Sequence, residues 1–154
     1  MFEVIELAYY EKKDLLLNKL SQCEWVAGRF LSEIVDDGSF HSLCGLNAKV
    51  LMLLDNDDIV SFCTYAFQDE IADKSMFPWI GFVYTYPKYR GNHYMGILFD
   101  HIYKLAKADG YEHLFVSTDS VGIYEKYGFI YYKNMFSIYG TDSKIYIKYL
   151  NEKA

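Results

Sequence analysis

Between Trp79 and Ser117 the chain reads as one strand, helix, strand unit, and that unit restricts the fold more than any other stretch of the 154 residues. Residues 79–86 are a run of aromatic and β-branched side chains, the composition of a strand. Pro87 ends it, because proline has no N–H to donate to a sheet ladder. From about Gly91 to Ala108, apolar residues recur at Ile97, Leu98, Ile102, Leu105 and Ala106, on one helix face, and Asp109 with Gly110 closes the helix. Residues 114–117 then form a short buried strand. Two strands joined through a helix run parallel with a right-handed crossover, so the chain must contain at least one parallel pair.

The flanking residues add strands and helices in mixed order. Residues 2–7 alternate apolar and acidic side chains as a first strand, and residues 10–20 carry Leu15, Leu16, Leu17 and Leu20 with the period of about 3.6 that marks a helix. Residues 24–35 place Trp25, Val26, Phe30, Leu31, Ile34 and Val35 in one stripe, a second helix ended by Asp36, Asp37 and Gly38. The stretch to Asn47 lacks such a period and is expected as an apolar loop, a lid or groove wall. Residues 49–54 and 59–67 are two strands joined across Asp55, Asn56, Asp57 and Asp58, a hairpin signal. Beyond the crossover unit, residues 120–127 are expected as a short helix, and residues 129–132 and 145–150 as strands. The order is β-α-α-β-β-β-α-β-α-β-β, without internal repeats, and a single domain over residues 1–154 is expected.

Composition narrows the function classes. A net charge of -6 argues against a nucleic-acid partner, since phosphate-backbone binding relies on clustered lysine and arginine to displace counterions. An acidic surface suits a cationic small molecule or peptide. Cys23, Cys44 and Cys63 are widely spaced among apolar residues and never form a Cys-x-x-Cys pair, which reads as three buried thiols rather than a disulfide framework or zinc ribbon. No basic and apolar leader opens the sequence, and no apolar run approaches the roughly 20 residues that cross a bilayer, so a cytoplasmic protein without a membrane partner is expected. Sixteen tyrosines and eleven phenylalanines suit strands and groove walls.

Two stretches carry chemistry. The first, Tyr86-Pro87-Lys88-Tyr89-Arg90-Gly91-Asn92-His93-Tyr94-Met95-Gly96, links a strand to a long helix. A helix start exposes unpaired N–H groups and the positive end of the dipole, where a phosphate can rest. The second is Ser117-Thr118-Asp119-Ser120-Val121-Gly122-Ile123-Tyr124-Glu125-Lys126-Tyr127-Gly128-Phe129, in which Tyr124 leads a short helix and Gly128-Phe129 leads into another strand.

Together these motifs resemble those of the GCN5-related N-acetyltransferase (GNAT) family, whose coenzyme-A-binding turn is Arg/Gln-x-x-Gly-x-Gly/Ala and whose tyrosine motif is Tyr-Glu-Lys-x-Gly-Phe. The resemblance runs from Trp79 to Tyr132 by motif, and elsewhere by element order. Two motifs in the family's order and context are far more specific than either alone. It implies an α/β (α+β) fold: a mixed, mostly antiparallel central sheet of about seven strands with helices on both faces. The first motif departs from pattern, because His93 and Met95 stand where the family has glycine. Backbone N–H groups are what a phosphate needs, and any residue supplies one.

The resemblance further implies an acetyl-CoA-dependent N-acetyltransferase acting on a primary amine of a small molecule or peptide, by direct attack in a ternary complex. Coenzyme A would be held by Val83, Tyr84 and Thr85 along the pantetheine arm, by Arg90, Gly91, Asn92, His93, Tyr94, Met95 and Gly96 around the diphosphate, and by Ser120. Tyr124 would protonate the departing thiolate. The general base is open among Asp119, Glu70 and Asp69. His93 is expected at the phosphate, since His41, His101 and His113 lie far from any ligand set and no metal site is expected. The acceptor would meet residues 24–47 and 69–77, and a homodimer could pair through the terminal strands. The rival reading is a non-catalytic acyl-CoA-binding module or sensor. A different nucleotide-binding α/β domain would need a Gly-x-Gly-x-x-Gly turn or a Gly-Lys-Ser/Thr loop, and the sequence has neither.

Overall fold

The computed structural model describes residues 1–150. Seven strands form one sheet: β1 (Phe2–Glu6), β2 (Lys49–Asp55), β3 (Asp58–Ala66), β4 (Trp79–Thr85), β5 (His113–Thr118), β6 (Ile130–Phe136) and β7 (Asp142–Tyr149). Their spatial order is β1-β2-β3-β4-β5-β7-β6, antiparallel throughout except for the parallel pair β4 and β5. Helices α1 (Lys13–Leu20), α2 (Val26–Asp36) and α3 (Phe40–Cys44) precede β2, and α4 (Met95–Ala108) makes the crossover from β4 to β5.

Strand β2 shows how the two faces are covered. Its side chains alternate across the sheet. Val50, Met52 and Leu54 pack with Leu16, Leu20, Leu31 and Ile34 of α1 and α2, whereas Leu51 and Leu53 pack with Leu98, Phe99 and Ile102 of α4. Every interior position of β2 is therefore apolar, and a simple in-out alternation of polar and apolar residues is absent.

Four of the differences from the sequence-based expectation have a local reason. Helix α4 starts at Met95 rather than near Gly91, because Gly91 (φ +85°) and His93 (φ +58°) are left-handed and break any helix through them. The helix expected over residues 120–127 is only a 3₁₀ turn, Tyr124–Tyr127; Gly122 is left-handed, and its N–H donates to the Glu125 carboxylate at 3.0 Å. The loop expected before Asn47 contains α3, which buries Phe40 and Cys44. Strand β6 continues to Phe136, four residues further than its apolar start suggests, because it is an edge strand with almost every side chain exposed.

Candidate active site

The parallel pair β4 and β5 is joined at only two positions, Trp79 opposite Phe115 and Ile80 opposite Val116. Beyond Ile80 the strands part. From there the edge of β4 facing β5 has no strand partner, while its other edge stays bonded to β3. A bulge falls at this point: Phe62 opposes Tyr84 but Thr64 opposes Gly81, so Phe82 and Val83 together face Cys63. Phe82 adopts φ +49°, a costly conformation for a bulky L-residue, and such strain concentrates where function requires it. One consequence is that Gly81 and Phe82 turn the same way, toward α1 and α2, where Phe82 joins the α1/α2 core and Val83 joins the α4 core.

A cleft of about 630 Å³ opens at the parting. Tyr124 reaches it from the α4 side. Its ring stacks on Phe99 at 6.2 Å and meets Phe129 edge-on at 6.0 Å, it is 9% exposed, and its hydroxyl has no hydrogen-bond partner among the described residues. Burial pushes the Tyr124 phenol well above its ordinary pKa, with the charge of Asp69 adding to the effect. Asp69 borders the cleft from the other side, beside Thr64 and Gly81: a Cβ on Gly81 would stand 2.9 Å from Asp69 Oδ1 and 3.0 Å from Thr64 Oγ1. Burial raises the Asp69 carboxyl to about 6, only partly opposed by a backbone hydrogen bond at Glu70. Thr64 is 1% exposed, and its hydroxyl has no partner among the described residues.

Glu70 and Asp119, the other two acids weighed as bases, also line the cleft. Glu70 is tied up as a brace: Oε1 accepts from Ser117 Oγ at 2.9 Å and from Ser143 Oγ at 3.2 Å, and its carbonyl accepts from the Ile138 N–H at 2.7 Å. Asp119 is exposed at the rim, where it accepts from Ser120 Oγ at 3.5 Å. The Ser120 N–H donates to Thr118 Oγ1 at 3.1 Å. Sequence could not separate these acids; in the fold Asp69 and Glu70 are both half-buried, but Glu70 is engaged by two serines while the Asp69 carboxyl, beside the strand bulge, is the one pushed up.

The turn before α4 has the feature a bound diphosphate needs. The N–H groups of residues 91–95 find no acceptor among the described residues, whereas those of Gly96 and Ile97 donate to His93 and Tyr94 carbonyls at 3.0 Å. His93 is exposed, and Met95 is buried in the core against Ser61. A Cβ on Gly96 would meet the Tyr127 ring at 3.4 Å, an ordinary packing distance. Arg90 folds back, with Nε donating to the Thr85 carbonyl at 2.9 Å and its guanidinium 5.3 Å from the Tyr84 ring. The Tyr84 side chain is likewise engaged, stacked on Trp25 at 5.3 Å with its hydroxyl donating to Glu24 at 2.9 Å.

A sequence model of the Acetyltransferase (GNAT) family matches residues 14–129. The chain belongs to that family. Solved structures share the GNAT fold across nearly the full length. An aminoglycoside 6'-acetyltransferase type Ii superposes with a TM-score of 0.70 at 16% identity, covering 100% of this chain and 99% of that one. An aminoglycoside 6'-N-acetyltransferase complexed with coenzyme A gives 0.68 at 15% identity, with 99% of each chain covered. An acetyltransferase from Streptococcus agalactiae 2603 gives 0.67 at 21% identity, covering 96% of this chain and 98% of that one. No curated protein matches the chain. Among the described residues no helix is long and apolar enough to cross a membrane, and no three His, Cys, Asp or Glu side chains are grouped to hold a metal ion.

Proposed function

We propose that this GNAT protein transfers an acetyl group from acetyl-CoA to a primary amine by direct attack, with both substrates bound together. The observation that carries the reading is the placement of two groups across one gap: the Asp69 carboxylate on the α1/α2 side and the free Tyr124 hydroxyl on the α4 side, where β4 and β5 part. Acetyl-CoA fits the residues present. The unpaired amides of residues 91–95 suit a diphosphate, and the unpaired edge of β4 suits an amide-bearing arm laid alongside it as an added strand.

Bound there, acetyl-CoA supplies an activated thioester. Asp69 accepts the proton that the attacking ammonium must lose, and a carboxyl held near 6 is a better base than an ordinary aspartate while still ionised at neutral pH. Main-chain N–H groups of the β4 bulge face the negative charge that develops on the carbonyl oxygen. Tyr124 donates a hydrogen bond to the departing sulfur. Because burial makes this phenol a weaker acid, it stays protonated, and the thiolate, with a solution pKa of about 8.5, leaves without taking the proton outright. The nitrogen sheds a second proton as the tetrahedral intermediate collapses to the amide; the departed thiolate takes it up, and the proton on Asp69 passes to solvent when the products leave.

The test is thiol release from acetyl-CoA in the presence of a panel of primary amines. Amine-dependent release together with an N-acetylated product supports the proposal. Tight acetyl-CoA binding without thiol release across the panel supports the non-catalytic binding module instead.

A further inference from the structure

The acceptor half of the cleft has a one-sided charge. Four carboxylates line it, Asp69, Glu70, Asp119 and Asp142, and no lysine, arginine or histidine does. Only one, Asp69, is needed to take a proton. The remaining three exceed what a single ammonium can use, and acids gathered without counter-cations repel one another, a cost that a cationic ligand relieves. Solubility does not explain Glu70, which is partly buried and clamped from two strands by Ser117 and Ser143, so that its carboxylate is fixed in the cleft wall; Asp119 and Asp142 are exposed, and Asp142 Oδ2 also accepts from Asn134 Nδ2 at 2.8 Å.

A second observation independently points to a ligand. The Thr64 hydroxyl is buried, has no partner among the described residues, and borders the cleft beside Asp69 and Gly81. A buried hydroxyl without a partner is costly, and an ammonium held on Asp69 would supply the missing hydrogen bond. Beyond this polar floor the exposed lining combines Asp119 and Asp142 with apolar side chains: Phe30 on α2, Leu43 on α3, and Ile138 and Tyr139 in the turn between β6 and β7. Carboxylates at the floor and at an exposed rim that also carries hydrocarbon match a molecule that has cationic groups at two ends of an aliphatic body.

We infer that the acceptor site selects amines carrying a second positive charge, the first ammonium seated on Asp69 and Thr64 and the second met by Asp119 and Asp142 near the mouth. The inference rests on the acceptor reading above and names its substrate class. It excludes amino acids, whose own carboxylate would face these acids, and it disfavours simple alkylamines.

Three molecules with the same four carbons isolate the second charge: 1,4-diaminobutane, n-butylamine and 4-aminobutanoate, with a cationic, a neutral and an anionic far end. Calorimetry on the full chain in the presence of coenzyme A is expected to show the diamine binding at least tenfold tighter than n-butylamine, with 4-aminobutanoate weakest. The preference should shrink as salt rises, since charges near the mouth are screened. In Asp119→Asn/Asp142→Asn the ratio of diamine to n-butylamine affinity should fall at least fivefold. The ratio is taken within one protein sample, so partial loss of folded material cancels. Equal affinity for diamine and n-butylamine, or a ratio unchanged in the double variant, overturns the inference. Thiol release is read separately with the same amines. Selective binding without release removes the acetyltransferase reading and leaves the charge selection standing; release with n-butylamine favoured does the reverse.

Discussion

Asp69→Asn should move activity and stability in opposite directions. In the folded chain the Asp69 carboxyl titrates near 6 instead of the ordinary 3.8, because burial disfavours its charged form. The folded state therefore binds this proton more tightly than the unfolded chain. Its stabilising contribution is complete below about pH 4, and is lost as pH rises through 6. By linkage the difference is up to about 3 kcal/mol above pH 6. Asparagine removes that cost, so the variant should melt several degrees higher at pH 7, at roughly 2–4 °C per kcal/mol for a chain of this size, and show no gain at pH 4. Activity should fall by on the order of 10²-fold or more, the usual worth of a general base. The assay is kcat/KM for the amine from thiol release, measured between pH 5 and pH 9. The native protein should show an acidic limb centred near pH 6, falling about tenfold for each pH unit below it, and the limb should vanish in the variant. A limb that persists near 6 in Asp69→Asn, or a rate within threefold of native, would place the base elsewhere. A lower melting temperature at pH 7 would refute the burial argument itself.

Tyr124→Phe should lower kcat roughly 10- to 100-fold, the worth of one hydrogen bond to a charged group, while the coenzyme A dissociation constant changes less than threefold; an unchanged kcat removes the residue from the chemistry. Gly81→Val should abolish acceptor turnover, since even its Cβ would stand 2.9 Å from Asp69 Oδ1 and 3.0 Å from Thr64 Oγ1; native KM for the amine would show that these atoms do not bound its site. His93→Gly relieves a left-handed residue at a comparable cost in unfolded-chain entropy, so stability should change by less than about 1 kcal/mol and coenzyme A affinity by less than threefold. A tenfold loss of affinity would mean that the imidazole, and not the main chain, grips the phosphate.

The parts of this molecule legible in its sequence are those with long apolar periods. Helix α4 announced itself through Leu98, Ile102 and Ala106, all of which are buried, strand β2 through an uninterrupted apolar run, and β3 and β4 through largely apolar, aromatic and β-branched runs. Helix α3 has five residues, too few for a period to emerge. The polar continuation of β6 through Lys133 and Asn134 was hidden because an exposed edge strand needs no hydrophobic pattern. The bulge at Phe82 ran against local propensity, since no rule assigns a positive φ to phenylalanine; tertiary structure imposes it. The two site motifs were visible as motifs, but the roles of individual side chains were not. Arg90 and Tyr84 turned out to be engaged with each other and with Glu24, and the choice among Asp69, Glu70 and Asp119 depended on burial and on the Ser117 and Ser143 hydroxyls, which meet Glu70 only in the folded sheet.

The most direct test is a stoichiometric one. Purified protein is incubated with acetyl-CoA and a primary diamine, free thiol is titrated over time, and the amine is analysed by mass spectrometry. Acetyl transfer in the cleft between β4 and β5 predicts one N-acetylated amine for every thiol released, with both signals depressed together in Asp69→Asn and in Tyr124→Phe. Intact acetyl-CoA recovered from a saturated complex, or thiol released without acetylated amine, would contradict it.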